Sequence, residues 1–287
     1  MNHQTLSLAP GLTFVATPIG SARDITLRAL DVLASADVLA AEDTRSLRRL
    51  MDIHAVPLGE RRIIAYHDHS PQRVLDQLMQ ALADGQSLAY ASEAGMPLIS
   101  DPGYELGRAA QAAGHKVTVA PGASAVPTAL ALAGLPTDAF YFAGFLPSAR
   151  TARRKRLTEM RDIAGTLITF ESPKRVAATL QDMVDVLGPA RDAALCRELT
   201  KKFEEVRRAP LADLAAQIAD QPPKGEIVLL VDRARLPIVR DCDLEIDLKA
   251  ALTRMSVRDA ADLMVDQHGV ARRRAYQLAL KLEKDMS

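Results

Sequence analysis

The sequence lacks most of the features that would assign a class at once. Its two cysteines, Cys196 and Cys242, fit neither a disulfide framework nor a metal-binding one, and a reducing compartment suits them. Formal net charge is +0 at pH 7, so no whole-molecule field draws the chain to nucleic acid; any such attraction must come from local basic clusters. No apolar run approaches the ~20 residues that span a bilayer. The first residues carry no basic segment followed by an apolar core, as a secretory signal would. A cytoplasmic protein with no membrane partner is therefore expected. Neither Gly-x-Gly-x-x-Gly nor a Walker sequence occurs, which removes the dinucleotide fold and the phosphate-cradling NTPases.

What is present is an α/β rhythm. With 287 residues, 48% of them hydrophobic, the chain can bury more than one core. Short apolar runs at 12–16, 38–41, 63–65, 87–91 and 116–120 read as strands. Helical spacing occupies 26–35, 44–51, 72–84 and 104–113, as in Val74, Leu75, Leu78 and Leu82. Alternation of this kind predicts a mostly parallel sheet covered on both faces. A helix over 125–133 is stopped by Gly134-Leu135-Pro136. A second series follows, with strands near 139–143, 165–170, 193–198, 206–209 and 226–231 and helices near 154–161, 176–187 and 211–219. The expected division is 1–121, 122–238 and a tail, 239–287.

The tail changes character. Ser256-Val257-Arg258-Asp259 forms a capping box opening a helix over 260–266, with Gly269 as its stop. A second helix over 271–284 begins Arg272-Arg273-Arg274. Two short helices with a basic second one fit a helix-turn-helix module, and a solvated helical cap fits the same residues.

Several loops follow strands where ligands of open α/β sheets sit. Ser92-Glu93-Ala94-Gly95-Met96-Pro97-Leu98-Ile99-Ser100-Asp101-Pro102-Gly103 combines small residues, two prolines and two acids after a buried strand. Thr17-Pro18-Ile19-Gly20 and Pro121-Gly122-Ala123-Ser124-Ala125 are shorter loops of the same kind. Turn shaping explains their glycines and prolines equally well, and capping alone explains Ser124. Glu42-Asp43 offers paired acids for proton transfer, although acids at a helix start also serve the helix dipole. His67-Asp68-His69 has two ligand-type side chains but no third, so no metal is expected. Basic residues gather at Arg150, Arg153, Arg154, Lys155 and Arg156, at Lys201 and Lys202, and at Arg272 to Arg274. They suit phosphate contacts, or merely a solvated helix face.

Taken in order, these segments resemble the tetrapyrrole methylase family of S-adenosylmethionine-dependent methyltransferases, and within it a branch acting on ribosomal RNA. The carriers are Val15-Ala16-Thr17-Pro18-Ile19-Gly20, Asp24-Ile25-Thr26-Leu27-Arg28-Ala29-Leu30, Ala41-Glu42-Asp43-Thr44-Arg45 and the Ser92 loop. Pro121-Gly122, Gly134-Leu135-Pro136, Gly144-Phe145-Leu146-Pro147 and Phe170-Glu171-Ser172-Pro173-Lys174-Arg175 continue the series. Arg197-Glu198-Leu199-Thr200-Lys201 and Lys224-Gly225-Glu226 complete it. The resemblance implies two α/β domains with the cofactor cleft between them, a small C-terminal helical module, and a homodimer.

By the same resemblance, S-adenosylmethionine contacts Pro18, Ser92, Glu93, Ala94, Gly95, Pro97, Leu98, Ile99, Ser124 and Ala125, and further Leu135, Phe170, Glu171 and Gly225. Backbone amides near Gly95 and Ser124 would take its carboxylate. The implied reaction methylates the ribose 2′-hydroxyl of a cytidine in 16S rRNA, within the 30S subunit. Candidate bases for that hydroxyl are Glu93, Asp101 and Glu42, with Glu93 preferred because its loop matches the cofactor loop. Arg150, Arg153, Arg154, Arg156, Lys201, Arg272, Arg273 and Arg274 would position the RNA. The branch usually reads Ser-Asp-Ala-Gly-Thr-Pro where this chain has Glu93 and Met96. Two other readings compete: a methylase acting on a corrin or porphyrin ring, and an RNA-binding protein without catalysis.

Overall fold

The computed structural model describes residues 3–234, 241–268, 270 and 272–286. Gly269, Ala271 and the Cys242 side chain lie outside the described residues. The chain divides after Arg233 into two compact units, a body and a tail.

In the body, side-chain alternation builds a first sheet from β1 (Gly11–Val15), β2 (Val38–Ala41), β3 (Ile63–Ala65), β4 (Ser87–Ala91) and β5 (Val117–Ala120). Leu12, Phe14, Leu88 and Tyr90 face one way, onto Leu78 and Leu82 of α3 (Gln72–Ala83) and Leu106 of α4 (Tyr104–Ala112). Val15, Leu39, Ala89 and Ala91 face the other way, onto Leu30 and Leu33 of α1 (Leu27–Ser35) and Leu47 and Met51 of α2 (Thr44–Ile53). Both faces are apolar, so the sheet must be covered twice, as parallel sheets are. The strands run in the order β3-β2-β4-β1-β5, all pairs parallel. Because β1 lies between β4 and β5, the loops leaving their carboxyl ends emerge side by side.

A second sheet has the order β6-β7-β10-β8-β9, from β6 (Phe140–Phe145), β7 (Thr166–Glu171), β8 (Asp192–Arg197), β9 (Glu205–Pro210) and β10 (Ile227–Val231). Here β6 and β7 are parallel and the other pairs antiparallel. No helix separates β8 from β9, so a turn joins them directly, which only an antiparallel pair permits. Leu195, Leu229 and Val231 pack under α6 (Arg150–Met160), α7 (Val176–Leu187) and α8 (Leu211–Asp220). Ile168, Ala194, Val228 and Leu230 face the opposite side, where α5 (Ala125–Ala133) covers them with Val126, Ala129 and Leu130. The helix that follows β5 thus belongs to the packing of the second sheet.

The tail is formed by α9 (Asp241–Leu252), α10 (Val257–His268) and α11 (Arg272–Met286). Leu244, Leu248, Ala261, Met264, Ala275 and Leu282 make its core. At the start of α10 the Asp259 amide donates to Ser256 Oγ (3.3 Å), and that hydroxyl donates to Asp259 Oδ2 (2.7 Å). The first of the three helices was not anticipated, since the exposed Ile246 and intervening acids obscure the helical spacing of Leu244, Leu248 and Ala251.

Candidate active site

Two loops of the first sheet are sewn together at the site. Thr17 and Gly95 exchange two backbone hydrogen bonds, each 3.0 Å. Ser92 Oγ donates to the Gly95 carbonyl (2.7 Å), and Thr17 Oγ1 to the Ser92 carbonyl (3.2 Å). Gly95 holds φ +85°, which a side chain rarely adopts. Leu98 and Ser100 also take left-handed conformations, at φ +72° and +63°. Such residues cost roughly 1–2 kcal/mol each and concentrate at functional sites.

The second sheet approaches at defined points. A Cβ on Gly20 would lie 2.5 Å from Thr200 Oγ1 and 2.8 Å from the Leu199 carbonyl, so only glycine admits this contact. The Ser21 amide donates to Thr200 Oγ1 (3.1 Å). Glu198 Oε1 accepts from the Glu226 amide (3.0 Å) and from Lys201 Nζ (3.0 Å), and a Cβ on Gly225 would collide with that carboxylate.

Between these loops lies a cavity of about 350 Å³, within the range of small-molecule sites. Ala94, Gly95, Ile99, Asp101, Ser124, Ala125, Phe170, Glu171 and Gly225 line it, as do Ile19, Met96, Phe145, Leu199, Ile227 and Val228. The second set carried no polar signal in the sequence; only its position on loops and strand ends marks it. Pro18, Ser92, Glu93, Pro97, Leu98 and Leu135 are not on the wall. Among these, Ser92 acts from behind through the Gly95 carbonyl, and Leu135 packs against the core under α5. Ser124 precedes α5 without a side-chain capping bond, so capping does not account for its hydroxyl. The Gly95 amide is taken by the Thr17 carbonyl and is not free to bind an anion. Ala125 and Val126 occupy the first turn of α5, where amides have no partner inside the helix. Glu171 is buried, with Oε2 accepting from Thr179 Oγ1 (2.6 Å) and an ion pair to Arg175 (3.2 Å). Its carboxylate therefore braces the cavity floor.

The adjacent acids Glu42 and Asp43 part company. Asp43 caps α2, accepting from the Arg45 and Ser46 amides (2.8 and 3.4 Å), and the Arg45 side chain holds its carboxyl below the usual range. Glu42 lies instead near Glu93 and Asp101, without lining the cavity. Burial, then the nearby Glu93 carboxylate, pushes its carboxyl up, and Oε2 is buried with no hydrogen-bond partner among the described residues. Burial also raises Asp101, and with Glu42 and Glu93 beside it the carboxyl is pushed up to about 7. Of the three candidate bases, Asp101 is the one on the cavity wall. Glu93, preferred from the sequence, is exposed and outside it. His67 and His69 belong to a turn: the His69 amide donates to His67 Nδ1 (3.2 Å), and the Gly103 amide donates to Asp68 (3.4 Å).

The basic cluster on α6 is largely committed to α7. Arg153 has a side chain only 5% exposed, with its guanidinium on Asp182 (2.6 Å) and the Ser148 carbonyl (3.2 Å). It cannot reach an RNA phosphate, contrary to the expectation from sequence. Arg150 and Arg154 also pair with Asp182 and Asp185 but stay partly open to solvent. Burial works to raise the Asp182 carboxyl; hydrogen bonds from Arg153 and Arg150 outweigh it and hold the group below the usual range. Arg156 donates to the Tyr141 hydroxyl (2.6 Å), and Lys201 spans Glu198 and Glu226. In the tail, Arg272 pairs with Asp262, and Arg273 and Arg274 are exposed on α11.

A cleft of glycine-bearing loops at the carboxyl ends of a parallel sheet, faced by a second mixed sheet, is a site for a small molecule. The chain belongs to the family of tetrapyrrole (corrin/porphyrin) methylases, whose profile matches residues 11–215. Its relatives include ribosomal RNA small subunit methyltransferase I of Mesorhizobium japonicum, 45% identical over 98% of this chain and 94% of that one. The protein of the same name from Vibrio cholerae is 43% identical over 95% of each. Residues 242–283 match the RsmI C-terminal HTH domain. Among solved structures, the methyltransferase CobJ superposes with a TM-score of 0.61 at 18% identity, over 78% of this chain and 94% of that one. Diphthine synthase gives 0.60 at 16% identity, over 77% and 89%. S-adenosylmethionine is the methyl donor of such methyltransferases and the cofactor of this chain. The apolar walls and the uncapped hydroxyl of Ser124 fit a molecule with an aromatic and a polar end.

Proposed function

We propose that the chain methylates the ribose 2′-hydroxyl of a cytidine in small-subunit (16S) ribosomal RNA. The observation that carries the chemistry of this reading is the place of Asp101, a carboxyl on the cavity wall that burial, with Glu42 and Glu93 nearby, pushes up to about 7. A ribose hydroxyl is a poor nucleophile until its proton is taken up, and a base near the working pH is best matched to that task. Glu42 and Glu93 act through Asp101, because their negative charge raises its basicity. S-adenosylmethionine, when bound, supplies a methyl group already activated by its sulfonium. Gly95, Ala94, Ile99, Ser124, Ala125, Phe170 and Gly225 hold and orient it, leaving alignment as the protein's main task.

Ribosomal RNA as the acceptor is supported by the names of relatives that match over nearly the whole chain. Arg150, Arg154, Arg156 and Lys201 on the body, and Arg272, Arg273 and Arg274 on the tail, supply cations for RNA phosphates. We read residues 1–121 and 122–238 as the two halves of the cleft, 239–287 as an RNA-engaging module, and the working form as a cytoplasmic homodimer acting on the 30S subunit. Incubation with labelled S-adenosylmethionine and undermethylated 30S subunits should yield labelled 2′-O-methylcytidine. Label entering uroporphyrinogen or a precorrin instead would overturn the reading in favour of a ring methylase.

A further inference from the structure

The sequence holds no tryptophan and six phenylalanines, and one of the six stands open at the cavity. Phe145 lines the wall yet remains 58% exposed. Its placement is built. In an unbroken strand, residues three apart point to opposite faces. Between Phe142 and Phe145 the pairing with β7 shifts register, so that Phe142 lies opposite Ile168 and Phe145 opposite Phe170. The extra residue of this bulge, with Gly144 at φ +64°, turns Phe145 onto the face that Phe142 occupies. Both rings then meet Phe170 edge to face, with centroids 4.9 and 5.6 Å apart. The next residues are pinned: Arg175 donates to the carbonyls of Leu146 (2.6 Å) and Pro147 (3.3 Å), and Arg175 is itself held by Glu171. On the other side, a Cβ on Gly144 would lie 3.3 Å from Ser100 Oγ, so Phe145 stands beside the segment that carries Asp101.

An aromatic ring held against Phe170 yet more than half exposed, on the cavity wall and beside the segment that carries Asp101, is suited to a planar group entering from solvent. We propose that Phe145 stacks on the nucleobase of the acceptor nucleotide, so that the substrate is a nucleotide turned out of its own stack. Bases splayed from single-stranded or looped RNA are recognised by such stacking. This inference rests on the RNA reading above and adds a substrate-contacting residue to it.

The test uses the full chain and 30S subunits reconstituted with 16S rRNA whose acceptor nucleotide carries or lacks its base. With the base present, Phe145→Ala should lower kcat/KM for the subunit by about tenfold to a hundredfold, the range that loss of one stacked base gives. Phe145→Trp should retain most of it, and S-adenosylmethionine affinity by calorimetry should be unchanged in both variants. With the base absent, wild type and Phe145→Ala should bind the subunit equally. A parallel loss of cofactor affinity would assign the ring to the cofactor, and a penalty that persists without the base would make it a wall residue only; either overturns the proposal. If the wild type transfers no methyl group to any subunit, the RNA reading itself falls and the proposal with it.

Discussion

If Asp101 is the proton acceptor, as proposed above, its titration has two consequences. A base pushed up to about 7 gives a rate that climbs as pH rises through 7 and levels above it. Asp101→Asn should lower kcat by about a hundredfold or more, within the usual range for a general base, while calorimetric affinity for S-adenosylmethionine stays. The same shift acts on folding. An acid raised in the folded state contributes its full stability below its ordinary value of 3.8 and loses it as pH climbs through 7. The ligand-free wild type should therefore melt close to Asp101→Asn at pH 3, and several degrees below it at pH 8. Equal melting temperatures at both pH values would show that the group is not strained. The loops bearing Gly95, Ser124 and Asp101 were legible in the sequence, because small residues after a strand have few purposes. The separate duties of Glu42 and Asp43 were not. Neighbours in sequence differ there only in which way the side chains turn, and Arg45 decides it. Nor was the burial of Arg153 legible, since its partner Asp182 lies 29 residues away.

The pairing of α6 with α7 is a structural joint more than an RNA surface. Asp182→Ala would leave the Arg153 guanidinium buried without its counter-charge, and breaking such a pair costs about 3–5 kcal/mol. Arg153→Met should cost less, because Arg150 and Arg154 still neutralise Asp182; denaturant unfolding of both variants checks the order. RNA affinity responds to different residues. On the RNA reading, Lys155→Glu, at an exposed position of α6 outside that joint, should weaken binding and lower the slope of log affinity against log salt by about one. An unchanged slope would return α6 to an ordinary solvated face. Strands and helices were largely readable from apolar period, down to the first sheet's two-faced burial. The antiparallel pairing in the second sheet was less so, because hydrophobic runs show burial but not direction. α9 escaped because the exposed Ile246 and the acids beside it blur the period that Leu244, Leu248, Ala251 and Leu252 keep.

At the scale of the molecule, every residue lining the cavity falls between Ile19 and Val228, inside the compact body that ends at Arg233. A chain ended there should keep its affinity for S-adenosylmethionine while losing RNA affinity; loss of cofactor binding would tie the tail to the cleft. The cleft was legible through the ordered series of loops, with Phe170, Glu171 and Gly225 of its second wall; Ile227, Val228 and Leu199 were not, since they carry only apolar side chains. The central claim is the identity of the acceptor. Nucleoside mass spectrometry of small-subunit ribosomal RNA from cells lacking this chain tests it most directly. The expected result is the loss of a 2′-O-methylated cytidine, restored by the wild-type chain and not by Asp101→Asn. An unaltered set of ribosomal modifications would contradict it.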